Sequence, residues 1–127
     1  MNKENIELLK PYLEKCYSPY SKYNVACMLV FPNKKYYGVN VENCSFSLTT
    51  CAEKNCISSA ITDGANMKDA LYMIVITNTS NTITPCGACR QILSEFFSNK
   101  FIIYTCGGNN IVNSCTLGEL LPGCFTK

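Results

Sequence analysis

Leu71-Tyr72-Met73-Ile74-Val75-Ile76-Thr77 is a continuous apolar run, and beyond a polar loop it is followed by Pro85-Cys86-Gly87-Ala88-Cys89-Arg90-Gln91-Ile92-Leu93. A run without apolar-polar alternation is the pattern of a strand covered on both faces. The second segment predicts a helix from about Gly87 to Phe97, with Ile92, Leu93, Phe96 and Phe97 turned inward. A doubly covered strand followed by an amphipathic helix calls for one sheet with helices packed on it.

Further strands and helices are legible upstream. Val25 to Phe31 and Tyr36 to Val41 are two β-rich runs around Pro32-Asn33-Lys34-Lys35, an antiparallel hairpin. A helix is expected from about Cys51 to Thr62, capped by Thr49 or Thr50 and stopped at Asp63-Gly64. At the start, Ile6, Leu9, Leu13, Cys16 and Tyr17 give residues 3–17 a helical face, which Pro11 should kink or cut short. At the other end, Phe101 to Cys106 and Ile111 to Cys115 flank Gly107-Gly108-Asn109-Asn110, a link short enough to permit only antiparallel pairing. No repeat or linker divides residues 1–127, which read as a single α/β domain.

Composition removes whole classes of chemistry. The chain has no histidine, so an imidazole base, a Cys-His pair and a histidine metal ligand are all excluded. Eleven Lys and Arg against nine Asp and Glu, with no basic stripe, give no footprint for nucleic acid. No apolar window is long enough to span a membrane. The opening Met1-Asn2-Lys3-Glu4-Asn5-Ile6-Glu7 does not resemble a secretory leader, so a cytoplasmic chain is expected. In that compartment ten cysteines remain thiols, available as metal ligands, nucleophiles or small buried groups.

Two segments carry the chemistry: Cys51-Ala52-Glu53 and Pro85-Cys86-Gly87-Ala88-Cys89. Both fall at expected helix starts, where unpaired N–H groups and the positive end of the helix dipole favour a thiolate. Cys86 and Cys89 point to one side of a first turn, and Cys51 adds a third sulfur if the two starts converge. Three protein ligands leave a tetrahedral position open, as in a catalytic zinc site. Glu53, two residues past the first ligand, is placed to take a proton and return it, and its surroundings should make it easy to protonate. A C-x-x-C alone also fits a structural zinc, a redox pair or two buried cysteines.

Together these segments resemble the zinc-dependent cytidine and deoxycytidylate deaminase family, and within it the short homotetrameric enzymes acting on free nucleosides. The resemblance extends to Ser18-Pro19-Tyr20-Ser21-Lys22-Tyr23, Gly38-Val39-Asn40-Val41-Glu42-Asn43, Cys89-Arg90-Gln91 and Leu120-Leu121-Pro122-Gly123-Cys124-Phe125. It implies a three-layer fold with a five-stranded mixed sheet. It implies one zinc ion per chain on Cys51, Cys86 and Cys89, with Glu53 moving protons as cytidine or 2'-deoxycytidine is hydrolysed to the uridine product and ammonia. Asn40 and Glu42 would bind the ribose 3'-hydroxyl, Tyr23 would stack on the base, and the Ala52 N–H and Thr84 carbonyl would meet the cytosine carbonyl and amino groups. Cys44, Ser45, Phe46 and the C-terminal Phe125 would reach the pocket of a neighbouring subunit in a homotetramer.

Three positions depart from the family pattern. Lys54 stands where arginine commonly bonds the zinc sulfurs, and is expected to tune the site by charge without the planar fork. Tyr23 replaces a more usual phenylalanine, and Phe46 a common tyrosine. A deaminase of a nucleoside-like antibiotic such as blasticidin S, or a catalytically silent zinc-binding module, would share much of this pattern.

Overall fold

A computed structural model describes all residues, Met1–Lys127. Five strands form one sheet: β1 (Val25–Val30), β2 (Lys35–Val39), β3 (Tyr72–Thr77), β4 (Ile102–Cys106) and β5 (Val112–Thr116), in the spatial order β2-β1-β3-β4-β5. Only the β3–β4 pair is parallel; the other three are antiparallel. The sheet is therefore mixed, as the family resemblance implies.

Strand alternation sorts the core into two halves. Val25, Cys27 and Leu29 of β1 and Met73 and Val75 of β3 face a cluster with Ala52, Cys56, Ile57, Ala60 and Leu93. Those last residues belong to α2 (Ala52–Thr62) and α3 (Gly87–Phe96). Ala26, Met28, Val30, Ile74 and Ile76 face the opposite side, where Ile6 and Leu9 of α1 (Glu4–Leu9) cover them. The unbroken apolar reading of β1 and β3 thus has its cause in three layers, with helix on both faces of the central strands.

The expected helix over residues 3–17 is shorter and in two parts. α1 ends at Leu9 and a tight 3-10 helix carries the chain from Lys10 to Lys15. Pro11 is tolerated there because it falls in the first turn, where its missing N–H has no partner to lose. Thr49 and Thr50 do not cap α2. Its N-cap is Cys51, with no side-chain cap bond, and Thr50 pairs through its backbone with Val41 at 2.9 Å in both directions. The helix stop is as expected, with Asp63 at the C-cap and Gly64 at φ 81°. One helix is absent from the sequence reading: α4 (Leu117–Leu120), opened by a capping box in which Thr116 and Glu119 bond each other's backbone N–H groups. The Thr-x-x-Glu spacing was its legible signal. No helix is long and apolar enough to cross a membrane.

Topology places the two helix starts together. β2 and β3 both run antiparallel to β1, so they are parallel to each other and end at the same edge of the sheet. α2 follows β2 and α3 follows β3 on the same face, so both N-termini emerge at that edge. Open α/β sheets place their ligand sites at this kind of edge, beyond the carboxyl ends of parallel strands.

Candidate active site

The start of α2 is held tightly against β2. Gly38 lies so close that a Cβ there would overlap the Ala52 carbonyl oxygen and Cys56 N, and would sit 2.9 Å from Cys56 Cα. Asn55 adds a tie, its Nδ2 donating to the Val39 carbonyl at 2.8 Å and to Thr50 Oγ1 at 3.1 Å. At the far end of α2, Asp63 accepts from Tyr36 Oη and Lys34 Nζ of the hairpin, each at 2.5 Å. The helix is thus pinned at both ends, which fixes where Cys51 and Glu53 lie.

Three sulfurs converge between the helix starts. Cys51, Cys86 and Cys89 place their Sγ atoms within 4.8 Å of one another, and Cys51 and Cys86 are 3.9 Å apart. Two thiolates on one tetrahedral zinc, each at about 2.3 Å, stand about 3.8 Å from each other, so the spacing fits that ion. The donor set fits too, since soft thiolates select zinc among the common divalent ions. A bond from Cys89 is the main reason that Cys51 falls to about 6, with Cys86 and the nearby charge of Lys54 helping. Cys89 moves far upward, chiefly because it donates to Cys51 and then because it is buried.

Glu53 occupies the second position of α2 and is only 5% exposed. Burial raises its pKa to about 7, with the Cys51 sulfur adding to the rise. A carboxyl group poised there can hold or release a proton under neutral conditions.

Glu53 shares a cavity of about 170 Å³ with Val25, Asn40, Thr49, Cys51, Ala52, Ile83, Thr84 and Cys86. Asn40, Ala52 and Thr84, expected at the substrate, are therefore brought to the thiolates and Glu53. Cys89 is buried and does not line this cavity. Asn40 is also a scaffold residue: its Oδ1 accepts from Val25 N at 3.0 Å and its Nδ2 donates to the Tyr23 carbonyl at 2.7 Å.

The other expected residues lie outside that cavity wall. Glu42 is buried beside the 18–22 turn, where its carboxylate accepts from the N–H groups of Tyr20 and Ser21 at 3.0 and 3.2 Å and from the Ser21 hydroxyl. Those bonds, the Ser21 hydroxyl foremost, hold its pKa below the usual carboxylate range. Cys44, Ser45 and Phe46 are exposed, Phe46 at 66% and Phe125 at 70%. Phe46 meets Tyr20 edge to face at 6.1 Å. Lys54 is exposed and touches no sulfur, acting on Cys51 through its charge.

Tyr23 is half-buried against the main core, and its hydroxyl is buried without a protein partner. An unpaired buried hydroxyl costs about 1–3 kcal/mol. Tyr23→Phe, which keeps the aromatic face, is expected to raise the melting temperature by about 3–5 °C. A lower melting temperature in a thermal scan would show that the hydroxyl is satisfied in solution.

Arg90 lies in the Cys89-Arg90-Gln91 stretch of the family resemblance, which assigns it no role. Its guanidinium donates to the Pro85 carbonyl, the Leu120 carbonyl and Thr84 Oγ1, each at 2.7 Å. Its reach to the C-terminal segment has no local sequence signal, because Leu120 is distant in the chain.

A mixed sheet with three cysteine sulfurs and a buried carboxyl group converging at one edge is the arrangement of a zinc-dependent deaminase. The chain belongs to the cytidine and deoxycytidylate deaminase family, whose zinc-binding region matches residues 2–105. It is 37% identical over 123 residues to a cytidine deaminase of Mycoplasma genitalium, covering 96% of this chain and 93% of that one. The crystal structure of cytidine deaminase from Burkholderia pseudomallei superposes with a TM-score of 0.91 at 34% identity, covering 98% of this chain and 99% of the other. A blasticidin-S deaminase of Bacillus cereus is more distant, 24% identical over 136 residues that span 100% of this chain and 96% of that protein.

Proposed function

We propose that this protein is a cytidine deaminase, which hydrolyses cytidine and 2'-deoxycytidine to uridine and 2'-deoxyuridine with release of ammonia in cytoplasmic pyrimidine salvage. The observation that carries the reading is the buried Glu53 carboxyl group in one cavity with Cys51, Cys86, Ala52 and Thr84. Greater similarity to enzymes named cytidine deaminase than to the blasticidin-S enzyme favours the nucleoside over the antibiotic.

Cys51, Cys86 and Cys89 would hold one zinc ion per chain, a Lewis acid that makes water nucleophilic near neutral pH. Glu53 would take one proton from water and pass it to the ring nitrogen, then take a second from the hydroxyl added to the base and pass it to the departing amine. Its burial keeps it from being locked in the charged form, so both directions of transfer are accessible. The Ala52 N–H stands at the first position of α2, where a helix leaves its donors without internal partners, and is placed to bind the cytosine carbonyl oxygen. The Thr84 carbonyl would accept from the amino group. Asn40, steadied by Tyr23 and Val25, would use its remaining amide proton on the ribose, with Glu42 beyond it. Tyr23 would offer its ring to the base.

The cavity of a single chain is small for a nucleoside, since ligand pockets usually enclose about 300–1,000 Å³. A homotetramer completes it in this reading, with Cys44, Ser45, Phe46 and Phe125 supplied by neighbours. The high exposure of both phenylalanines supports that role. Gel filtration should then give a tetramer's elution volume.

Purified zinc-replete protein incubated with cytidine should abolish the cytidine absorbance band at catalytic protein concentrations. A stable band would exclude this substrate and make blasticidin S the next compound to assay. Lys54→Ala should weaken zinc retention and turnover by about threefold, the modest effect of an exposed charge. Unchanged zinc content and rate would reduce Lys54 to a solvated side chain.

A further inference from the structure

We infer that Arg90 is a positioning residue that clamps the Thr84-Pro85-Cys86 loop to the C-terminal segment, so that the zinc-ligand geometry depends on residues beyond β5. The inference rests on the reading of Cys51, Cys86 and Cys89 as zinc ligands.

Arg90 sits in the first turn of α3, directly after Cys89. A cation is disfavoured at the positive end of a helix, so its place there needs another cause. That cause is in its bonds. The side chain curls back over the helix start, and each guanidinium nitrogen finds a different acceptor: Nε the Pro85 carbonyl, Nη2 the Thr84 hydroxyl and Nη1 the Leu120 carbonyl. Charge-assisted bonds of this kind are roughly twice as strong as neutral ones, and the planar fork fixes their directions. Pro85, immediately before the ligand Cys86, is fully buried and held by its carbonyl. Thr84 lines the cavity with Glu53.

The third bond gives the clamp its reach. Leu120 ends α4, and the neighbouring Gln91 donates from Nε2 to the Phe125 carbonyl at 3.1 Å. Two successive side chains of α3 thus grip two points of the last turn and tail. The match to the family's zinc-binding region ends at residue 105, so the grip is on a segment outside it. Movement of the tail at a subunit contact would pass through Leu120 and Arg90 to the loop that bears Cys86.

The test measures zinc release to a chromogenic chelator, with each variant held equally far below its own melting midpoint. Arg90→Met is expected to lose zinc at least tenfold faster than wild type. Arg90→Lys keeps the charge but cannot span three separate acceptors, and should fail to restore the wild-type rate. Thr84→Val removes one acceptor and should speed release about threefold. Gln91→Ala, which frees only the tail's second tether, should release zinc at the wild-type rate. Wild-type release from Arg90→Lys would show that charge alone suffices and overturn the proposal. If Arg90→Met does not fold, Arg90→Lys and Thr84→Val decide, and wild-type release from either overturns it. The readout needs no substrate, so a wild-type protein that holds zinc but ignores cytidine overturns the substrate reading and leaves the clamp to be judged on these rates. A wild-type chain that binds no zinc overturns both.

Discussion

Glu53→Ala is expected to retain zinc at the wild-type content while turnover of cytidine falls by at least about 10³-fold, the upper range for loss of a general acid-base group. Glu53 is not among the converging sulfurs, so its removal leaves the three donors in place. It is the buried carboxyl group that shares a cavity with Cys51, Cys86 and Ala52, and the chain has no histidine to stand in for it. Glu53→Gln should be nearly as slow, because the amide keeps the shape but does not exchange a proton. The measurements are zinc content by elemental analysis and the loss of cytidine absorbance over time. Zinc-replete Glu53→Ala with wild-type turnover would remove Glu53 from the chemistry. Loss of zinc together with turnover would make it a residue that maintains the metal site.

Gly38→Ala is expected to destabilise the fold by about 3 kcal/mol, at the high end for overpacking. Gly38 packs against backbone atoms, the Ala52 carbonyl oxygen and Cys56 N, so no side-chain rotation can make room for a methyl group. The start of α2 must move away from β2, and Cys51 and Glu53 move with it. Zinc affinity should therefore drop alongside the melting temperature, although Gly38 touches neither sulfur nor substrate. Denaturant unfolding and zinc titration of the same samples check both parts. Wild-type stability would show that β2 and α2 can separate without cost.

These two variants fall on opposite sides of what could be read from the chain. Glu53 was visible as a carboxylate two residues after Cys51 at a helix start, a purely local pattern. The role of Gly38 was not, because the close approach is between β2 and α2, and sequence does not display distances between elements. Asn40 was legible as a ribose ligand by resemblance, whereas its bonds to Val25 and Tyr23 were hidden. The cap of α2 differs from the sequence expectation for a related reason: Thr50 is occupied by its strand-like bridge to Val41, leaving Cys51 as the N-cap.

The strands were legible in the chain through apolar runs and turn residues, and the two helix starts through the placement of Cys51 and Cys86 after loops. Composition likewise limits which atoms could do chemistry, since a chain without histidine has thiolates and carboxylates for the task. That those atoms meet is a property of the folded chain. Their convergence follows from the strand order β2-β1-β3, which makes β2 and β3 parallel and brings both following helices to one edge of the sheet. Strand order is set by the packing of both faces at once, a sum over contacts distant in the chain, and local patterns carry no record of that sum.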